Sequence, residues 1–221
     1  MTQQRKVAVI LAGCGVFDGS EIHETVLTLL ALDRLGASYQ CFAPDVPQAH
    51  VINHLKGEVA DGESRNVLVE AARIARGEIK ALSEFKAADF DAIAFPGGFG
   101  AAKNLSTFAF DGAECTVNAD VERALKDMVA ASKPISALCI TPAIIARVLE
   151  GAEVTIGSDK ATADAIQAMG AKHTVTTHSE VVIDARYKLV TTPCYMLDAT
   201  VSQIADGAMN AMTAMLDLVE S

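Results

Sequence analysis

Residues 134–149 read PISALCITPAIIARVL. A strand-length run, Pro134 to Leu138, stops at Cys139, and an apolar run at helical spacing follows at once, with Pro142 near its first turn. A thiol at a strand–helix junction sits in the positive field of the helix N-terminus, which favours thiolate over thiol. The same turn lifts a nucleophile above the sheet edge and aims nearby backbone N–H groups at a developing oxyanion. A packed, inert thiol fits the position equally well, because free Cys packs as a small hydrophobe.

Two other stretches supply partners for that thiol. Gly97-Gly98 follows the apolar run DAIAF, and glycines after a strand let the backbone approach a neighbour and present N–H groups. Gly98 is thereby an oxyanion donor if it lies beside Cys139. Glu24 falls in the first turns of a helix after the first strand, where a carboxyl can exchange a proton with the thiol or with substrate carbon. Taken alone, it reads as a solvated helix-start acid held by the helix dipole, with Glu21 the better capping residue. His23 adjoins Glu24 but faces another direction, His50 and His54 lie in an irregular stretch, and His178-Ser-Glu180 is only superficially an H-x-E string. No metal-ligand spacing and no phosphate-binding loop is present.

The elements that must position these residues alternate. Lys6–Leu11, Tyr39–Ala43, Asp91–Phe95 and Pro134–Leu138 read as buried strands. Glu21 to Leu35 reads as an amphipathic helix with Ile22, Val26, Leu29 and Leu30 on its apolar face, capped by Asp18 or Ser20 and stopped by Gly36. Helices are expected at 66–76, 119–132, 161–169 and 198–219, with a short strand near 154–156. Segments 180–183 and 188–192 fit either a hairpin or successive strands. The less regular 44–80 stretch reads as an insertion in a single domain spanning 1–221. Strand–helix alternation predicts an α/β fold, a three-layer α/β/α sandwich on a mainly parallel sheet. In such sheets ligands bind beyond the carboxyl ends of the strands, where the loops bearing Glu24, Gly98 and Cys139 converge.

Composition narrows the classes. The chain of 221 residues is 51% hydrophobic but only 5% aromatic, so Ala, Val, Ile and Leu fill the interior. A net charge of −10 without a basic cluster argues against nucleic acid. The first apolar run is too short to span a bilayer and lacks a signal-type cleavage pattern. Five scattered cysteines, an odd number without C-x-x-C, point to reduced thiols and a cytoplasmic protein.

Glu24, PGGFG and ALCITPA together resemble the ThiJ/PfpI superfamily, related to class I glutamine amidotransferases, whose flavodoxin-like fold carries an acid on the first helix, a glycine pair and an elbow cysteine. The match sharpens to the ElbB branch, known as glyoxalases and as isoprenoid-biosynthesis proteins with an amidotransferase-like domain. GCGVFDGSEIHE, CFAPD, VINHLKGE, RNVLVEAARIARGEI, PGGFGAAKNLS, GAECTV and TTPCYML carry this likeness over nearly the whole chain. The resemblance implies Cys139 as nucleophile, Glu24 as its acidic partner and Gly98 as an oxyanion donor, joined by the Ile140 N–H.

It further implies a cofactor-free, glutathione-independent glyoxalase of lyase type, acting on a small dicarbonyl and assembled as a homodimer. The chain departs from the wider pattern in one respect: no histidine follows the elbow, and no H-x-E follows the final strand. A Cys-His-Glu triad for glutamine hydrolysis is therefore disfavoured. Asp159, His23 and Thr141 are left as candidates to replace the absent histidine. The alternatives are a redox-sensing binding protein with an oxidisable Cys139, a protein deglycase, and a subunit of an amidotransferase-like complex.

Overall fold

A computed structural model describes residues 4–219. In chain order its elements begin with β1 (Lys6–Ile10), α1 (Ile22–Arg34), β2 (Ser38–Ala43), β3 (Ile52–Asn53), β4 (Glu58–Val59), α2 (Val67–Ile74) and β5 (Ile79–Ala81). Then come β6 (Ala92–Phe95), α3 (Phe99–Asn104), α4 (Phe108–Asp111), α5 (Ala119–Ala130), β7 (Ile135–Leu138) and α6 (Thr141–Val148). The chain continues through β8 (Glu153–Val154), α7 (Lys160–Ala168), β9 (Lys172–His173), β10 (Val182–Asp184), β11 (Leu189–Thr192) and α8 (Val201–Asp217).

Seven strands form one sheet in the order β10-β11-β7-β6-β1-β2-β5, parallel except for the β10–β11 hairpin. The β6 and β7 strands are buried throughout, as central parallel strands covered on both faces must be. Connections from β1 to β2 and from β6 to β7 run in opposite directions along the sheet. Right-handed crossovers therefore put α1 and α5 on opposite faces, which makes the three-layer α/β/α sandwich. The order reverses between β1 and β6, and the crevice beyond their carboxyl ends is where such folds bind ligands.

Several expectations need correction. Neither Asp18 nor Ser20 caps α1: Ser20 Oγ accepts from Ala12 N–H at 2.8 Å and Asp18 Oδ2 from Ile52 N–H at 2.7 Å. The cap is Glu21, whose carboxylate accepts from Glu24 N–H. The 154–156 strand shrinks to β8, which leaves the main sheet to pair with β9, a strand the sequence reading did not contain.

The largest departure is α1. Its apolar stripe faces out, with Ile22 43%, Val26 49% and Leu30 37% exposed, while Glu24, Thr25, Thr28, Ala31 and Leu32 are buried. At 3.6 residues per turn the two sets lie on nearly opposite sides of the helix. The inner side packs against α8, which opens with a Thr200–Gln203 capping box.

Candidate active site

The elbow is built by backbone geometry. Cys139 leaves β7 with φ 61°, a left-handed conformation uncommon for a residue with a Cβ, and its N–H donates to Thr192 O at 3.0 Å. Strain of this kind persists where surrounding structure over-determines it. Thr141 helps to do so: its hydroxyl, buried at the start of α6, donates to Pro96 O at 3.1 Å and fastens the elbow to the PGGFG turn.

The glycine pair explains how close these segments lie. A Cβ on Gly97 would collide with Cys139 Cβ and Glu24 Oε2, and one on Gly98, whose φ is +107°, would collide with Glu21 N. Only bare backbone fits there. The arrangement directs the N–H groups of Gly98 and Ile140 at the Cys139 sulfur, while Glu24 shares a hydrogen bond with the thiol. All four residues inferred from the sequence thus converge.

Glu24 is not a solvated acid but fully buried. Its Oε2 accepts from Gly97 N–H and its Oε1 from Tyr195 N–H, each at 3.0 Å. Burial pushes its carboxyl up to about 8, with the Glu21 charge adding to the rise and the three hydrogen bonds opposing it. Cys139 is 7% exposed, and burial, then the Glu24 charge, holds its thiol well above the ordinary value. This reverses the expectation of a helix-activated thiolate. The N–H groups of Gly98 and Ile140 favour the thiolate, but loss of water outweighs them.

The three candidate substitutes for a histidine separate cleanly. Asp159 caps α7 through Thr162 N–H, and Thr141 is occupied with Pro96 O. His23 lies beside the site, its Nδ1 3.1 Å from the Tyr195 hydroxyl. His178-Ser-Glu180 belongs to a surface turn in which Glu180 accepts from Thr177 N–H. The sequence reading missed Tyr195 and Cys194; the signal available was TTPCYML following a strand. Among the described residues no group of three or more His, Cys, Asp or Glu is placed to hold a metal ion.

No family model matches the chain. It is 52% identical over 96% of its length to the human glutamine amidotransferase-like class 1 domain-containing protein 3, mitochondrial, and spans 83% of that relative. The chain belongs to the glutamine amidotransferase-like class 1 family. Another relative of this family, the zebrafish ES1 protein, mitochondrial, is 39% identical over 86% of this chain and 76% of its own. A crystal structure of an isoprenoid biosynthesis protein with amidotransferase-like domain from Ehrlichia chaffeensis superposes with a TM-score of 0.91, at 36% identity over 97% of this chain and 99% of that one. A DJ-1 superfamily protein from Salmonella typhimurium, 22% identical over 99% of this chain and 92% of that one, with a TM-score of 0.60, shows the shared fold. The mitochondrial names of the relatives overturn the cytoplasmic expectation, which rested on cysteine usage and the first apolar run.

Proposed function

We propose that the protein is a cofactor-independent glyoxalase converting glyoxal to glycolate. The observation that carries this reading is the buried Glu24 carboxyl hydrogen-bonded to the Cys139 thiol, with two backbone N–H groups at the same sulfur. As Cys139 attacks one aldehyde, Glu24 in its carboxylate form takes the thiol proton. The hemithioacetal oxyanion accepts from Gly98 and Ile140 N–H. Glu24 returns that proton to the oxyanion. Again a carboxylate, it carries a proton from the first carbon to the second through an enediol, while the proton of the first hydroxyl passes to the second oxygen, leaving a glycolyl thioester. Water cleaves the thioester to glycolate and restores the thiol. One carbon is oxidised and its neighbour reduced, so no external electron carrier enters.

Two further proposals accompany this reading. The outward apolar stripe of α1, continued by Tyr39 and by Leu29 and Ile74 in a groove of about 960 Å³, supports a homodimer through this face. A mitochondrial setting follows the names of the relatives.

The test is proton NMR of glyoxal without glutathione, using the intact protein, Cys139→Ala and Glu24→Gln. Glycolate from the intact protein, lost in both variants, is the expected result. Glycolate surviving in Cys139→Ala, or absent throughout, would overturn the reading.

A further inference from the structure

Cys194 is a buried thiol that the glyoxalase chemistry does not use. It lies beyond β11, and Cys139 lies beyond β7. Leu138 and Thr192, the last residues of these adjacent parallel strands, are register partners. Cys139 stands one residue past this pair and Cys194 two, so the two thiols leave adjacent strand ends one residue out of register. Such strands run about 4.8 Å apart, while a disulfide spans Cα separations up to about 6.8 Å. Both flanks of Cys194 are tied to the reactive pair: Thr192 O accepts from Cys139 N–H, and Tyr195 N–H donates to Glu24 Oε1, each at 3.0 Å. Cys194, like Cys139, departs from its strand in a left-handed conformation, with φ 43°. Opposite its sulfur stands Gly207 of α8, where a Cβ would come within 3.7 Å of Sγ.

The geometry points to Cys194 as the resolving thiol for an oxidised Cys139, the two closing a disulfide across the ends of β7 and β11. A hydroperoxide oxidises Cys139 to its sulfenic acid by two electrons and is itself reduced to the alcohol or water. The Cys194 sulfur then attacks the sulfenyl sulfur. An S–S bond forms, the S–O bond breaks, and the oxygen leaves as water with the Cys194 proton. The order follows from access: Cys139 is 7% exposed and Cys194 is fully buried, with burial holding its thiol well above the ordinary value. Closure shields Cys139 from further, irreversible oxidation and switches off any chemistry its thiol performs. The inference shares Cys139 with the glyoxalase reading but none of its steps, so either can fail without the other.

The test treats the full chain with hydrogen peroxide, alkylates remaining thiols after denaturation, and maps tryptic peptides 127–147 and 189–221, which carry Cys139 and Cys194. The expected product is a linked pair of these peptides that dithiothreitol separates. In Cys194→Ser the same peroxide dose raises Cys139 sulfinic acid several-fold. Intact protein that passes directly to the sulfinic acid with Cys194 unmodified overturns the inference, and this arm requires no variant to fold. Glyoxal is absent from every arm.

Discussion

Glu24 and Cys139 share a hydrogen bond inside the protein, with burial lifting the ionisation of both above their ordinary values. At pH 7 the pair therefore holds a proton on each partner. The reactive arrangement, a carboxylate beside a thiol, arises only when Glu24 loses its proton.

Turnover accordingly rises with pH through about 8, the value to which burial pushes the Glu24 carboxyl. A pH profile of kcat/KM for glyoxal checks this. A profile flat from pH 6 to 9 would remove Glu24 from the role of base.

Stability runs the other way. A carboxyl raised in the folded state contributes fully below its unfolded value of 4.5, and that contribution is lost as pH climbs through about 8. A shift of this size is worth on the order of 4 kcal/mol. Urea unfolding of the intact protein against Glu24→Gln should show their stability difference changing by a large part of that amount between pH 5 and 9, with the variant gaining at high pH. Gln has one acceptor oxygen for the two N–H groups of Gly97 and Tyr195, so at pH 5 the variant is less stable by about 1–3 kcal/mol.

Gly97→Ala places a methyl group against Cys139 Cβ and Glu24 Oε2. Overpacking of this kind costs about 1–3 kcal/mol and displaces the reactive pair, so thermal unfolding should fall and turnover collapse together. Gly57→Ala is the control: its φ is +72° with no atom within 4 Å of the added carbon, and it should cost about 1 kcal/mol without touching turnover.

Val26→Asp tests the α1 face. Val26 is half exposed, so the change leaves a single subunit stable within about 0.5 kcal/mol. In sedimentation the intact protein should run as a dimer and the variant as a monomer. A variant that stays dimeric would move the interface elsewhere.

Legibility from the chain alone was uneven, for identifiable reasons. Buried parallel strands are nearly continuous apolar runs, so KVAVI, AIAF and ISAL announced the sheet. The PGGFG turn and the elbow at Cys139 were legible because glycine and proline mark sharp turns. The α1 orientation was not legible: the apolar stripe Ile22, Val26, Leu30 is what a core-facing helix carries, and here it faces outward. Glu24 stands on the opposite side of the same helix and has to reach Gly97, Tyr195 and Cys139, which turns the stripe to the surface.

By itself the sequence determined the layer architecture and the junction that bears the thiol, because these depend on local periodicity and turn chemistry. The set Cys139, Glu24, Gly98 and Ile140 came from the likeness to the ThiJ/PfpI superfamily, since alone Glu24 read as a solvated helix-start acid. Only the tertiary structure decided their protonation and their neighbours. Removal from water lifts both Glu24 and Cys139 against the local helix field. The pairing of β7 with β11 brings Cys194 and Tyr195 to the site from more than fifty residues away in sequence.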